Sequence, residues 1–268
     1  MFDFSTTPVV WGPNAEAVIA MNAGSPVATL IEVFLLKVMR LAKKQLDPKS
    51  DAELIRDMDL FNKQEGQHFK VHASFNQVLR EWCPEVGRIE AEAQADYDRF
   101  LRDESLRWLV GYCEAFEAIG GLTCVNWIDG FWPEQAGTFE SKVVDLFQWH
   151  LAEEYEHRTV MWRLYHRLFG EPFAEAHEYR VELFKIASAH FGGYAERLRV
   201  ALLEQHRVGM SAEQIERSRA RETEFLELRN AKIMTQIGPV FDESYDPTHI
   251  ARPENLDRVL ALYPTSRD

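Results

Sequence analysis

The chain has 268 residues, 46% of them hydrophobic and 12% aromatic, enough to bury a sizeable core. Its formal net charge of −13 argues against a binder of duplex nucleic acid, which needs Lys and Arg clusters against phosphate, and also against docking on an anionic membrane. The three cysteines, Cys83, Cys113 and Cys124, form no CxxC pair and have no zinc-ligand spacing, as expected of reduced thiols in a cytoplasmic protein.

The opening segment, "MFDFSTTPVVWGPNAEAV", lacks a basic stretch followed by an apolar one and does not read as a signal peptide. No uninterrupted apolar run approaches the roughly 20 residues that span a bilayer, so the expectation is a soluble cytoplasmic protein. Helical periodicity then runs through the whole chain, and strand signals are scarce. The spacing predicts a first helix over Pro26–Gln45, ending before Pro48. A second runs over Ser50–Trp82, with Ser50 and Glu53 as a capping box. A polar amphipathic stretch follows over Val86–Arg102. The fourth helix covers Glu104–Trp127, and the fifth Phe139–Phe169, ending at "GEP". A sixth covers Phe173–Gln205. Ser211 and Gln214 form another capping box and open a charged helix. The tail carries Pro239, Pro247, Pro253 and Pro264 and reads as irregular, with a short helix near Leu256–Leu262. The lengths predict one all-α domain over 1–268, a long four-helix bundle with additional C-terminal helices.

Four of these helices place ionisable groups among apolar residues. Residues at i, i+3, i+4 and i+7 share a helix face. His150, Glu154 and His157 make one stripe, continued by Phe147 and Met161. Glu65, His68 and His72 make another, flanked by Phe61 and Phe75. Glu32 sits among Leu30, Ile31, Val33, Phe34, Leu35 and Leu36. Glu114 and Glu117 share a face of an otherwise apolar helix, and spacing does not choose between them. A lone desolvated carboxylate costs several kcal/mol unless it is protonated or paired. Four helices that break the rule together have a common explanation in a metal centre. A di-iron or di-manganese carboxylate bundle takes one Glu from each of two helices and Glu-x-x-His from each of the other two. The chain order fits: Glu32, then Glu65 and His68, then Glu117 or Glu114, then Glu154 and His157. Carboxylates with imidazoles suit iron or manganese better than an all-oxygen calcium cage.

The motif by itself is weak: with nine His in the chain, a Glu meets a His three positions later about once by chance. The weight rests on the apolar flanks and on the alternation with helices carrying a Glu. The competing readings are specific. Glu32 pairs with Arg40. His72 caps the core beside Asn76 or supports a ligand. His150 supports a ligand rather than binding. Glu153 and Glu156 lie off the stripe, on a solvated face or in support. Phe34, Phe61, Phe75, Phe116, Phe147 and Trp149 are core, or else they wall an apolar pocket.

"IEVFLLKVMR", "FNKQEGQHFKVHASFNQVL" and "WHLAEEYEHRTVMWRLY" resemble three blocks of the bacterial family labelled predicted metal-dependent hydrolase, over roughly residues 25–170. The region of Glu117 matches less closely, because "EAIGG" stands where a Thr-Ala-like pair is expected. The ligand pattern is similar to that of ferritin-like di-iron oxygenases. His150-x3-Glu154-x2-His157 looks like the arrangement in arylamine N-oxygenases, where a third His adds a seventh protein ligand. The resemblance therefore implies metal ligation by Glu32, Glu65, His68, Glu117, His150, Glu154 and His157, with His72, Glu114 and Glu153 as supporting or alternative ligands. It implies two Fe ions, or Mn or a mixed Fe/Mn pair, and O2-dependent oxidation of an apolar or aromatic small molecule, with an electron donor as a further partner and a homodimer as a possible assembly. The alternatives are a metal-dependent hydrolase using a metal-bound hydroxide, with Zn in the centre, and a non-catalytic metal-binding protein.

Overall fold

The computed structural model describes residues 2–263, and among them every regular element is helical. In chain order these are α1 (Ala15–Asn22), α2 (Gly24–Lys43), α3 (Ala52–Trp82), α4 (Glu85–Asp103), α5 (Leu106–Thr123), α6 (Val125–Ile128), α7 (Phe131–Ala136), α8 (Lys142–His157), α9 (Val160–Phe169), α10 (Phe173–Arg207), α11 (Ala212–Ile237) and α12 (Leu256–Leu262). Two short 3₁₀ turns, Gly238–Phe241 and Pro247–His249, break the tail where its prolines stand. Pro264 lies outside the described residues.

The predicted boundaries hold to within a few residues for the long helices, and the differences have local causes. The helix expected from Pro26 starts at Gly24, because a proline in the first helical turn loses only a donor that has no partner there. The Ser50–Glu53 capping box is absent. Instead the Asp47 carboxylate accepts from Ser50 N–H, the Ser50 hydroxyl and Lys49 N–H, and closes the turn before α3. Ser211 and Gln214 do form the capping box that opens α11. The expected Phe139–Phe169 helix is two: α8 ends at His157 and α9 begins at Val160. The Arg158 guanidinium takes the Tyr155 carbonyl at 2.5 Å, so a side chain inserts where the helical ladder would continue. The expected Glu104–Trp127 helix is likewise divided at Cys124, into α5 and the short α6, and the short helices α1 and α7 were not foreseen.

Four helices surround the centre of the molecule. Helix α2 packs along α3 and against α5, and the α8–α9 pair closes the ring by packing on both α3 and α5. Helix α4 covers α2, and α10 lies over α4 and α5. Close approach of α10 to α5 needs Gly111, where an added Cβ would fall 2.4 Å from Leu183 Cδ1. The main core joins Ile31, Phe34, Leu35, Met58, Phe61, Val110, Tyr112 and Met161, all at 1% exposure or less. A second core gathers Trp127, Trp132, Phe147, Trp149 and Phe225 around α8.

Ala15–Lys43, spanning α1 and α2, is long and apolar enough on average to cross a membrane, although Asn22, Ser25 and Glu32 interrupt it, so the expectation that no uninterrupted apolar run of that length occurs still holds. Its apolar window is 83% buried within the bundle, which is the behaviour of a core helix. All three cysteines are buried and unpaired.

Candidate metal centre

The four inner helices each deliver a buried acid to one point. Glu32 comes from α2, Glu65 from α3, Glu117 from α5 and Glu154 from α8, and none exceeds 2% exposure. The i, i+3 spacing then adds His68 above Glu65 and His157 above Glu154, and i−4 adds His150. Ligating atoms form three overlapping groups, Glu32–His68–His150, Glu65–His68–Glu154 and Glu117–Glu154–His157, with the atoms of each group within 4.8 Å of one another. Two carboxylates sit in the middle. Glu65 Oε1 is 3.4 Å from His68 Nδ1 and 3.2 Å from His157 Nε2. Glu154 Oε1 is 3.0 Å from His150 Nε2 and 3.4 Å from His157 Nε2.

Each imidazole is held by its outer nitrogen. His68 Nε2 donates to Glu153 at 2.9 Å, and His157 Nδ1 donates to Gln64 Oε1 at 3.1 Å. His150 is held through a longer chain, and the partners assign its protons. Asn76 Nδ2 donates to the Ser25 carbonyl and to Thr29 Oγ1, so its Oδ1 is the atom that accepts the Ser25 hydroxyl proton at 2.5 Å. With its one proton given away, Ser25 Oγ accepts from His72 Nδ1–H at 2.8 Å. His72 Nε2 is then bare and accepts His150 Nδ1–H at 2.7 Å. His150 Nε2 is left with a lone pair facing Glu154 Oε1. Two acceptors at 3.0 Å need a proton or a cation between them.

The charge states point the same way. Burial, and next the charge of Glu65, raises the carboxyl of Glu32 well above the usual range. Burial, then Glu154, does the same to Glu117. Burial alone would lower His68, but the charge of Glu65 and the bond to Glu153 raise it well above an ordinary imidazole. Burial lowers His150 and, further, His72, so both are neutral and able to pass hydrogen bonds in one direction. Burial opposes ionisation of Glu154, and the surrounding imidazoles, His157 first, hold it well below its ordinary value.

The residues present fit a metal. Nine buried side-chain atoms without a hydrogen-bond partner belong to this cluster: both carboxylate oxygens of Glu32, Glu65 and Glu117, Glu154 Oε2, His68 Nδ1 and His157 Nε2. Buried polar groups are otherwise satisfied in folded proteins, and these nine converge. Gly120 completes the cradle: a Cβ there would lie 2.8 Å from Glu154 Oε2. The departure "EAIGG" thus leaves room for a carboxylate.

Of the supporting residues anticipated from the sequence, His72 and Glu153 hold imidazoles, as described. Glu114 does not join the cluster. It turns to Arg180, with Oε1 3.3 Å from Nη1, while Arg180 also donates to the Val240 carbonyl. Glu32 meets His150 at 3.7 Å, and Arg40 is exposed on the outside of α2. Gln64 was not singled out from the sequence; it stands one residue before Glu65, is buried, and its amide oxygen is the partner of His157. Among the six aromatic residues considered as pocket walls, Phe34 and Phe75 are core at 1% exposure or less. Phe61 lines a cavity of about 390 Å³, and Phe147 lines one of about 220 Å³ with Trp127 and Trp132. Around the cluster itself Phe61 meets the ring of His157 at 4.5 Å, and Trp149 stands edge-on to His68 at 5.1 Å.

Helical bundle and buried carboxylate–imidazole cluster together define a candidate metalloprotein. Comparison by sequence narrows this. The chain belongs to the family described as "Predicted metal-dependent hydrolase", whose model matches residues 1–251. No curated protein and no solved structure matches it.

Proposed function

We propose that this chain is a metal-dependent enzyme whose centre holds two metal ions between Glu32, Glu65, His68, Glu117, His150, Glu154 and His157. The observation that carries the reading is the convergence of nine unpartnered buried acceptor and donor atoms on one point, with three imidazoles each tied back by the outer nitrogen. The family description favours hydrolysis. Ions bound here would polarise a substrate oxygen and acidify water. The protein's part is orientation. Glu153, Gln64 and His72 fix the three rings, Glu65 and Glu154 stand where both ends of the cluster reach them, and Phe61 and Trp149 keep bulk water out.

A second reading is favoured by the burial of the site. Every member of the cluster is at most 5% exposed, and the cavity nearest to it touches only His157. A hydrolytic substrate needs an open face, whereas O2 is small and apolar and enters closed sites. The donor set also suits iron. On this reading the enzyme resembles ferritin-like di-iron proteins and oxidises an apolar small molecule, with an electron donor as partner.

Metal analysis of the purified protein, followed by assays with and without O2, separates the readings. Two metal ions per chain and turnover of ester or phosphate model substrates without O2 or reductant support hydrolysis. Two irons per chain, O2 uptake by the reduced protein and no anaerobic turnover support oxidation. Absence of bound metal after reconstitution with Fe, Mn or Zn would overturn both.

A further inference from the structure

The cluster is closed unequally. At the His150 end it is sealed by His72, Ser25 and Asn76, all without exposure. Glu32, Glu65 and His68 have none either. At the other end His157 is the most exposed member, at 5%, and its ring forms part of the cavity of about 390 Å³ between α3 and the α8–α9 joint. Asp57, Leu60, Gln64, Glu156, Thr159 and Val160 complete that cavity. The larger cavity, of about 540 Å³, is lined from α5 by Gly121 and Leu122 and by the tail, and no cluster residue reaches it.

Three features of the α3/α8–α9 cavity bear on what passes through it. Its roof is the joint at Arg158–Thr159, where helical backbone gives way to a turn. Its polar groups form a graded line: Glu156 accepts from Gln64 Nε2 at 3.5 Å, and Gln64 Oε1 accepts from His157 Nδ1. Its two charged lining side chains, Asp57 and Glu156, are both acids; Arg163 from α9 pairs with Asp57, offsetting its charge, and also meets Glu53 beside the mouth. Carboxylates at a mouth favour the approach of cations over anions.

We propose that this cavity is the entrance by which a divalent cation reaches the centre, drawn in by the Glu156 carboxylate and passing the edge of the His157 ring, whose unprotonated Nε2 lies on the inner side. The proposal rests on the reading of the cluster as a metal site. An entrance governs the rate of loading and leaves the end-point unchanged, so the test is kinetic. Metal-free full-length protein is mixed with Co(II), and the visible absorption of the bound ion is followed in time. Leu60 is 39% exposed, so substitutions there are tolerated by the fold. Leu60→Trp, which fills the cavity, is expected to slow uptake, and Leu60→Ala, which widens it, to speed it. Glu156→Gln is expected to slow uptake about tenfold at low salt, with the difference shrinking as salt rises. All three variants should reach the wild-type Co(II) content, and Val200→Trp, on the outer face of α10, should load at the wild-type rate. Unchanged rates in the Leu60 variants and Glu156→Gln would overturn the entrance, as would a reduced Co(II) content at unchanged rate. Failure of the wild-type protein to bind Co(II) at all would instead overturn the metal reading beneath it.

Discussion

Glu114 and Glu117 stand one helical turn apart on α5 and have opposite fates. Glu117 faces three other carboxylates and carries a carboxyl raised by burial and by Glu154, whereas Glu114 faces the guanidinium of the buried Arg180. Glu117→Gln is therefore expected to lower metal content and to stabilise the metal-free protein, since a desolvated acid is replaced by a neutral amide. Glu114→Gln should leave metal content intact and destabilise by about 3–5 kcal/mol, because Arg180 keeps its charge and loses its partner. Metal analysis with urea unfolding of both variants checks the pair, and metal loss in Glu114→Gln alone would reverse the assignment. Gly120→Ala sets a methyl group 2.8 Å from Glu154 Oε2, so it should weaken metal binding at least as much as Glu117→Gln while leaving helicity by circular dichroism unchanged. The ligand types were legible in the sequence because an acid or imidazole inside an apolar stripe has no inexpensive place to go. The choice between Glu114 and Glu117 was not, because Arg180 is 66 positions away and only the fold brings it to Glu114.

At the scale of elements, α3 and α8 do more than present ligands. Each carries the holders as well: Gln64 precedes Glu65 and reaches across to His157, while Glu153 precedes Glu154 and reaches across to His68. A ligand on one helix is thereby oriented by the other, so neither stripe works without its partner. This cross-helix exchange explains why Glu153 is buried although it lies off the stripe of its own helix. The same neighbour effect governs the helix ends. Asp47 closes the turn before α3, so Asp47→Ala should lower the melting temperature while Ser50→Ala changes it little; equal losses would restore the capping box expected from the sequence. Ser105 accepts from Trp108 N–H at the start of α5, and Ser105→Ala should cost about 1 kcal/mol in urea unfolding.

For the whole molecule the centre couples stability to pH and to metal. Glu32, Glu117 and His68 have raised values in the folded chain, so the folded metal-free protein holds protons that the unfolded chain has already released. Stability therefore falls as pH rises toward the folded values. His72 and His150 are lowered and act in the opposite sense, but only below the ordinary imidazole range. Above that range the melting temperature of the metal-free protein should fall with pH. Bound cations take the place of those protons, so the gap between metal-loaded and metal-free melting temperatures should widen with pH. Scanning calorimetry across neutral to alkaline pH checks both, and a metal-free protein that gains stability in that window would contradict the charge states described here.

The sequence by itself determined the helical class, the long helices to within a few residues, and the residue types of the centre. Those follow from local physics: periodicity shows which face is buried, and a carboxylate or imidazole on that face needs a countercharge. What only the tertiary structure decided is which groups meet. Glu117 rather than Glu114 turns to the cluster, the Ser25–Asn76 pair leaves the lone pair of His150 facing inward, Gln64 and Glu153 are holders, and the helix through His157 bends at Arg158. Each of these depends on a partner from another helix, and proton positions and packing of that kind are set by neighbours in space, which spacing along one helix does not encode.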